Sequence, residues 1–193
     1  MLLWRLVVAG GGGVAGGCAV VSRRWRVARM RRVAREALGA CPLADPQLRF
    51  AADGENTTFG VDARAPGGGE RFVLRVHRLA RHGRGVDTAA AVASELCWLG
   101  ALRAGAGLAV PEPFRTTTGD LTTTVASSLL PGPRVCSVLG WMAGRIHAVA
   151  PAPVHLRRLG AVMARLHEHA ARWRPRPAWF GSAGTGRHSP ATP

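Results

Sequence analysis

The sequence predicts an α+β fold: a five-stranded antiparallel sheet with one packed helix inserted between its third and fourth strands, and a further helix at each end. Three observations predict it. Short runs at 48–52, 57–63 and 71–77 are punctuated by Asp53-Gly54 and Pro66-Gly67-Gly68-Gly69, the composition of hairpin turns. Longer stretches place apolar residues at three- and four-residue steps, the spacing of one helix face. The resulting order is helix, three strands, helix, two strands, connector, helix, which leaves one helix embedded within a single sheet.

The amino terminus comes first. Met1-Leu2-Leu3-Trp4-Arg5 and the apolar run that follows have the look of a signal or anchor. Six glycines dilute the first 22 residues, however, and only Arg5 charges their start. A spanning helix needs about 20 predominantly apolar residues, and glycine is poor helix material. Cys18, after Ala15-Gly16-Gly17, is a weak match to a lipoprotein cleavage site. Residues 1–29 are therefore expected to be a Gly-rich apolar leader or an over-extended start, with Met30 opening the protein proper. Membrane attachment through residues 1–22 is the alternative. From 23 to 38, Val27, Met30, Val33, Ala34 and Leu38 form a stripe with arginines on the other faces, broken by Cys41-Pro42 and Asp45-Pro46.

The third strand carries the first chemically informative residue. In Arg71-Phe72-Val73-Leu74-Arg75-Val76-His77, Phe72, Leu74 and Val76 share one face, and Val73 and Arg75 the other. The next helix, about 87–104, repeats Ala91, Val92, Trp98, Leu99 and Leu102, and that spacing centres Glu95 on its apolar stripe. A carboxylate there is costly to bury without a cation, and Arg75 is the natural candidate. The pair is either a plain salt bridge or a strand cation oriented by a helix carboxylate to grip phosphate.

Glycines Gly105 and Gly107 end that helix, and Pro111 and Pro113 confine the following segment to an edge or loop. After Gly119-Asp120 two more strands are expected, at 121–126 and 134–141, then a connector from Gly140 to Gly144. The last helix, about 154–173, would carry Leu156, Leu159, Val162, Met163, Leu166, Ala170 and Trp173 inward and Arg158, Arg165 and Arg172 outward. Residues 181–193 lack any large apolar side chain and read as a disordered tail.

Composition narrows the function classes. The net charge of +15 comes wholly from arginine, since the 193 residues contain no lysine. Tyrosine is absent too, while glycine, alanine and arginine abound, the mark of G+C-rich coding as much as of a polyanion partner. The arginines are spread along the chain and not interleaved with stacking aromatics, so specific nucleic-acid binding is not expected. Cys18, Cys41, Cys97 and Cys136 form no Cys-x-x-Cys pair, which suggests neither zinc site nor disulfide framework. Cys97 and Cys136 read as small core residues, and a reducing cytoplasm fits.

The turn Asp53-Gly54-Glu55-Asn56-Thr57-Thr58-Phe59 precedes Arg75 by one strand. Gly54 permits close backbone approach, and the amides with Asn56, Thr57 and Thr58 could cradle phosphate oxygens; an ordinary hairpin turn has the same composition. Here a resemblance becomes specific. Glu55-Asn56-Thr57-Thr58-Phe59 resembles the Glu-Asn-x-x-(Phe/Tyr) turn of the phosphotransferase family that includes aminoglycoside phosphotransferases, choline kinase and homoserine kinase type II, with a protein-kinase-like fold. Phe72-Val73-Leu74-Arg75-Val76-His77-Arg78 is similar to its third strand, and Ser94-Glu95-Leu96-Cys97-Trp98-Leu99 to its acidic helix. Val110-Pro111-Glu112-Pro113 is similar to the segment before the fourth strand. Trp141-Met142-Ala143-Gly144-Arg145 is similar to the linker between lobes. Leu159-Gly160-Ala161-Val162-Met163-Ala164-Arg165-Leu166-His167 resembles the first large-lobe helix.

The resemblance covers about residues 28–180 and implies a small lobe at 30–139, with a linker and first large-lobe helix at 140–180. It implies an ATP-dependent kinase acting on a small hydroxyl- or amine-bearing acceptor. The turn Gly54, Asn56, Thr57 and Thr58 would cover the triphosphate. Arg75, beside Val73, would contact the α- and β-phosphates under the hold of Glu95, and backbone groups of Gly140, Trp141 and Met142 would bind adenine. Where this chain has Arg75 the family more widely has lysine, and a planar fork is not equivalent to a point charge. The family's His-Gly-Asp-x-x-x-x-Asn catalytic loop and its following Mg²⁺-binding Asp are not found in the 193 residues. His167-Glu168-His169 is no substitute, because its histidines leave one helix on different faces. The expectation is therefore the small lobe of a truncated kinase, inactive alone, without catalytic or metal-binding residues, and with the apolar face of its last helix uncovered. A basic nucleic-acid-binding module and a membrane-tethered pseudo-enzyme are the alternatives.

Overall fold

The structure is a computed structural model that describes residues 17–68, 71–78, 87–144 and 151–174, with side chains from residue 23 onward. The leader up to residue 16, Gly69, Arg145, Trp179-Phe180 and the tail lie outside the described residues. In chain order the elements are α1 (Gly17–Leu38), β1 (Ala44–Asp53), β2 (Thr57–Arg64), β3 (Arg71–Val76), α2 (Thr88–Gly105), β4 (Pro113–Phe114), β5 (Thr123–Val125), β6 (Arg134–Gly140) and α3 (Pro153–Arg172).

Every strand pairing is antiparallel. β1, β2 and β3 form a meander, after which β6 lies against β3, and β4 and β5 share the far edge of β6. Six strands thus occupy five positions. Proline at 113 is tolerated because β4 is an edge strand of only two residues. Gly119, at φ 87°, closes the loop between β4 and β5, its amide donating to the Thr116 carbonyl.

One face of the sheet is sealed by α1. Met30, Val33, Ala34, Ala37 and Leu38 descend on Phe59, Val61, Phe72, Leu74, Val76, Cys136 and Val138. Phe59 and Leu74 are wholly buried there, and burying such a side chain is worth about 1.5–3 kcal/mol. Helix α1 runs unbroken from Gly17, six residues earlier than the apolar stripe suggested and straight through the expected start at Met30. The opposite face takes α2, whose Val92 and Leu96 pack on Val135 and Leu139. Asp87 caps that helix, its carboxylate accepting from the Ala89 amide at 2.9 Å.

Two sequence expectations need correction. Cys97 is exposed, not a core residue, because α2 buries Ala91, Val92, Ser94, Leu96 and Leu102 instead. Helix α3 buries none of its residues; Val154, Leu156, Val162 and Met163 are between 40% and 54% exposed. It meets α2 near its end, where Trp173 lies against Trp98 with ring centroids 6.4 Å apart, and Leu159 and Leu166 are half-buried while Leu156, Val162 and Met163 stay exposed. No described helix is long and apolar enough to cross a membrane.

Candidate functional site

Strand register decides which side chains share the face opposite α1. Thr58 pairs with Arg75, and Arg75 with Ser137, so three polar residues form a row across β2, β3 and β6. The adjoining row, Gly60, Val73 and Leu139, is apolar and carries no side chain at its β2 end. Alternation along β2 sends Phe59 and Val61 into the α1 core and therefore Thr58 and Gly60 to the Arg75 side.

Arg75 Nη2 donates to Glu95 Oε1 at 2.9 Å. The two residues stand 20 apart in sequence and meet where α2 crosses β3. The guanidinium is 14% exposed and the carboxylate 44%. Glu95 therefore lies at the solvent rim of α2, not at the centre of its buried stripe as the helical spacing suggests. Arg75 Nε is buried without a hydrogen-bond partner. That orphaned donor is the feature of this face that fits an added anionic oxygen, because an unsatisfied N–H in a partly desolvated cation is costly. Beyond Arg75 on the same strand, His77 Nε2 and Ser137 Oγ share a buried hydrogen bond of 2.9 Å.

The 53–58 turn divides between the two faces. Thr57 Oγ1 donates to Asp53 Oδ1 at 2.9 Å, on the α1 side. There Thr57 lines a cavity of about 590 Å³ together with Trp25, Arg26 and Met30. The hydroxyl expected to meet phosphate is engaged within the turn, whereas Thr58 lies on the face of Arg75. The Gly54 amide donates to the Asn56 carbonyl at 3.2 Å, which tightens the turn.

At the other end of the sheet, Gly140 N–H donates to the Glu112 carbonyl at 2.8 Å and Trp141 N–H to the Arg71 carbonyl at 3.2 Å. Arg71 also stacks over the Trp141 ring at 4.4 Å. Of the three linker amides only that of Met142 has no such engagement among the described residues. Sequence reading missed Gly60, Ser137 and Leu139, and also Asp53 as the anchor of the turn. Strand alternation marks their faces, but only the ladder aligns Ser137 with Arg75 and Gly60 and Leu139 with Val73.

These features match a known pattern. Residues 47–188 match the profile of the phosphotransferase enzyme family, or APH. The chain belongs to that family. Among solved structures, this chain is similar to a microcompartment-associated aminopropanol kinase, with 30% identity and a TM-score of 0.60 over 78% of this chain and 43% of the kinase. It also shares the fold of amicoumacin kinase hAmiN, solved with AMP-PNP, Ca²⁺ and Ami, at 17% identity and TM-score 0.64, over 86% of this chain and 48% of that one. The chain thus spans less than half the length of either kinase. No curated protein matches its sequence.

Among the described residues no cluster of three or more His, Cys, Asp or Glu could hold a metal. His167-Glu168-His169 is not such a cluster: His167 is exposed, while His169 is half-buried with its ring where a Cβ on Gly105 would meet it.

Proposed function

We propose that this chain is the nucleotide-gripping small lobe of a small-molecule kinase, with residues 140–180 as linker and first large-lobe helix, working in the cytoplasm. The observation that carries the reading is the 2.9 Å pairing of Arg75 with Glu95 beside the buried hydroxyls of Thr58 and Ser137, with the buried Arg75 Nε left without a hydrogen-bond partner. Adenine would lie along Gly60, Val73 and Leu139 and take the Met142 amide. The phosphates would run towards Arg75, Thr58 and the backbone of the 54–58 turn. The bound ATP supplies the γ-phosphoryl group for a hydroxyl- or amine-bearing acceptor such as an amino alcohol or aminoglycoside.

Arg75 neutralises phosphate charge, and Glu95 keeps the guanidinium from turning away. Positioning and charge neutralisation account for nearly all catalysis of phosphoryl transfer. The described residues supply binding and orientation, and among them no cluster of three or more His, Cys, Asp or Glu could hold a metal. The 193 residues alone are therefore expected to bind nucleotide without transferring phosphate, and the acceptor would be met by a large lobe.

The test is thermal. Millimolar ATP should raise the melting temperature of the chain, by about 3–6 °C if dissociation is tenfold below the ligand concentration. Arg75→Ala should abolish the shift. An unchanged melt of the wild-type chain counts against the reading.

A further inference from the structure

Asp53 stands out among the acidic residues because its carboxylate side chain is 1% exposed yet lies at the tip of a hairpin. Both oxygens are occupied. Oδ2 accepts from Arg26 Nε at 2.9 Å and lies 2.7 Å from Arg26 Nη2, a two-pronged contact, while Oδ1 accepts from Thr57 Oγ1 at 2.9 Å. Arg26 belongs to α1, 27 residues away in sequence, and reaches the turn on the α1 side of the sheet. Its exposed α1 neighbour Trp25 carries Arg29 at 4.4 Å over the ring, a contact within the helix.

We propose that Arg26 and Asp53 are positioning residues for the nucleotide turn. The helix cation locks the turn carboxylate, the carboxylate locks Thr57, and the 54–58 backbone with Thr58 is thereby pre-shaped towards the Arg75 face. The chemistry explains the division of labour. A doubly donated guanidinium–carboxylate pair fixes direction as well as distance. A turn held in its binding shape before the ligand arrives avoids the ordering cost that a loose one must meet. Thr57 and Thr58 then have different tasks: Thr57 braces from behind and Thr58 faces the phosphates. This inference rests on the nucleotide-binding reading above and adds two residues to it.

Titration of the full 193-residue chain with ATP separates the two ideas. Arg26→Ala should weaken binding about tenfold and Thr57→Val about threefold, the sizes expected for a lost preorganised contact. Arg26→Lys should recover only part of the loss, since a point charge cannot make the two-pronged contact. Arg24→Ala removes the same charge from an exposed position on the same helix and should change nothing. Hydrogen exchange should show the amides of 54–58 losing protection in Arg26→Ala while those of β3 keep theirs. Thr57→Val is nearly isosteric and leaves the Arg26–Asp53 pair intact, so it carries the test if Arg26→Ala does not fold. Equal losses from Arg26→Ala and Arg24→Ala would mean a general charge effect and overturn the positioning role. ATP affinity indifferent to Arg26→Ala and Thr57→Val, with normal wild-type binding, would overturn it too and leave the nucleotide reading standing. Absence of ATP binding by the wild type would remove both.

Discussion

Arg75 and Glu95 are unequal partners. The guanidinium is 14% exposed and held between strand neighbours, whereas the carboxylate is 44% exposed on a helix rim. At that exposure solvent screens the pair, so its worth to folding is at most about 1 kcal/mol. Its value lies in orientation. Glu95→Gln is expected to leave the melting temperature within about 2 °C of wild type yet weaken ATP binding about fivefold, because an amide holds the fork less firmly than a carboxylate. A calorimetric titration checks this; equal affinity in the variant would reduce the pair to a surface ion pair.

The cysteines divide just as unevenly. Burial pushes the Cys136 thiol up to about 12, aided by nearby Cys41, while burial also raises Cys41. A thiol raised on folding adds stability that is complete below its unfolded value near 8.5 and is lost as pH climbs through the folded value. Stability is thus expected to fall between about pH 9 and pH 12. At neutral pH, iodoacetamide should modify exposed Cys97 and spare Cys41 and Cys136 until the protein unfolds, as peptide mass mapping would show. Rapid modification of Cys136 in the native state would contradict its burial.

At the scale of elements, α3 is the anomaly. Its sequence has the spacing of an inward-facing helix, yet Leu156, Val162 and Met163 meet no described partner. Exposed apolar side chains on one helix face attract one another between molecules. Val162→Ser with Met163→Gln should raise the soluble fraction without lowering the melting temperature, since surface changes of this kind stay within about 0.5 kcal/mol. A fall of several degrees would mean that this face is covered. Helix α1 teaches the reverse lesson. Its arginine-rich sequence between 23 and 32 reads as a solvated face, but Arg26 and Arg31 are used structurally, on Asp53 and on the Leu48 carbonyl at 2.9 Å. Charge alone cannot reveal which arginine of a run will find a carboxylate 27 residues away.

The whole molecule carries +15. A field of that size attracts any polyanion at low ionic strength, whatever the fold is for. Binding to DNA is expected in 20 mM salt, independent of sequence, and should vanish near 200 mM with a steep log–log slope, roughly as counterion release dictates. Fluorescence anisotropy with two unrelated duplexes checks it. Sequence-selective binding at 150 mM salt would instead make nucleic acid a genuine partner.

The strands at 57–63 and 71–77, helix α2 and the Arg75–Glu95 pairing were legible from alternation, helical spacing and the cost of an unpaired charge. The other candidate nucleotide residues sit in short motifs that a sequence can mark but whose role remains a proposal. The rest is non-local. Placing β6 between β3 and the β4–β5 edge, aligning Thr58, Arg75 and Ser137 in one row, and turning Thr57 away from that row all depend on ladder register. A register pairs residues through backbone hydrogen bonds that carry no record of side-chain identity, so a pattern along one strand marks its two faces but not its neighbours. The sequence by itself therefore determined which elements form and which family they resemble. Only the tertiary structure decided which side chains face one another, because that choice is made where distant segments compete for the same space.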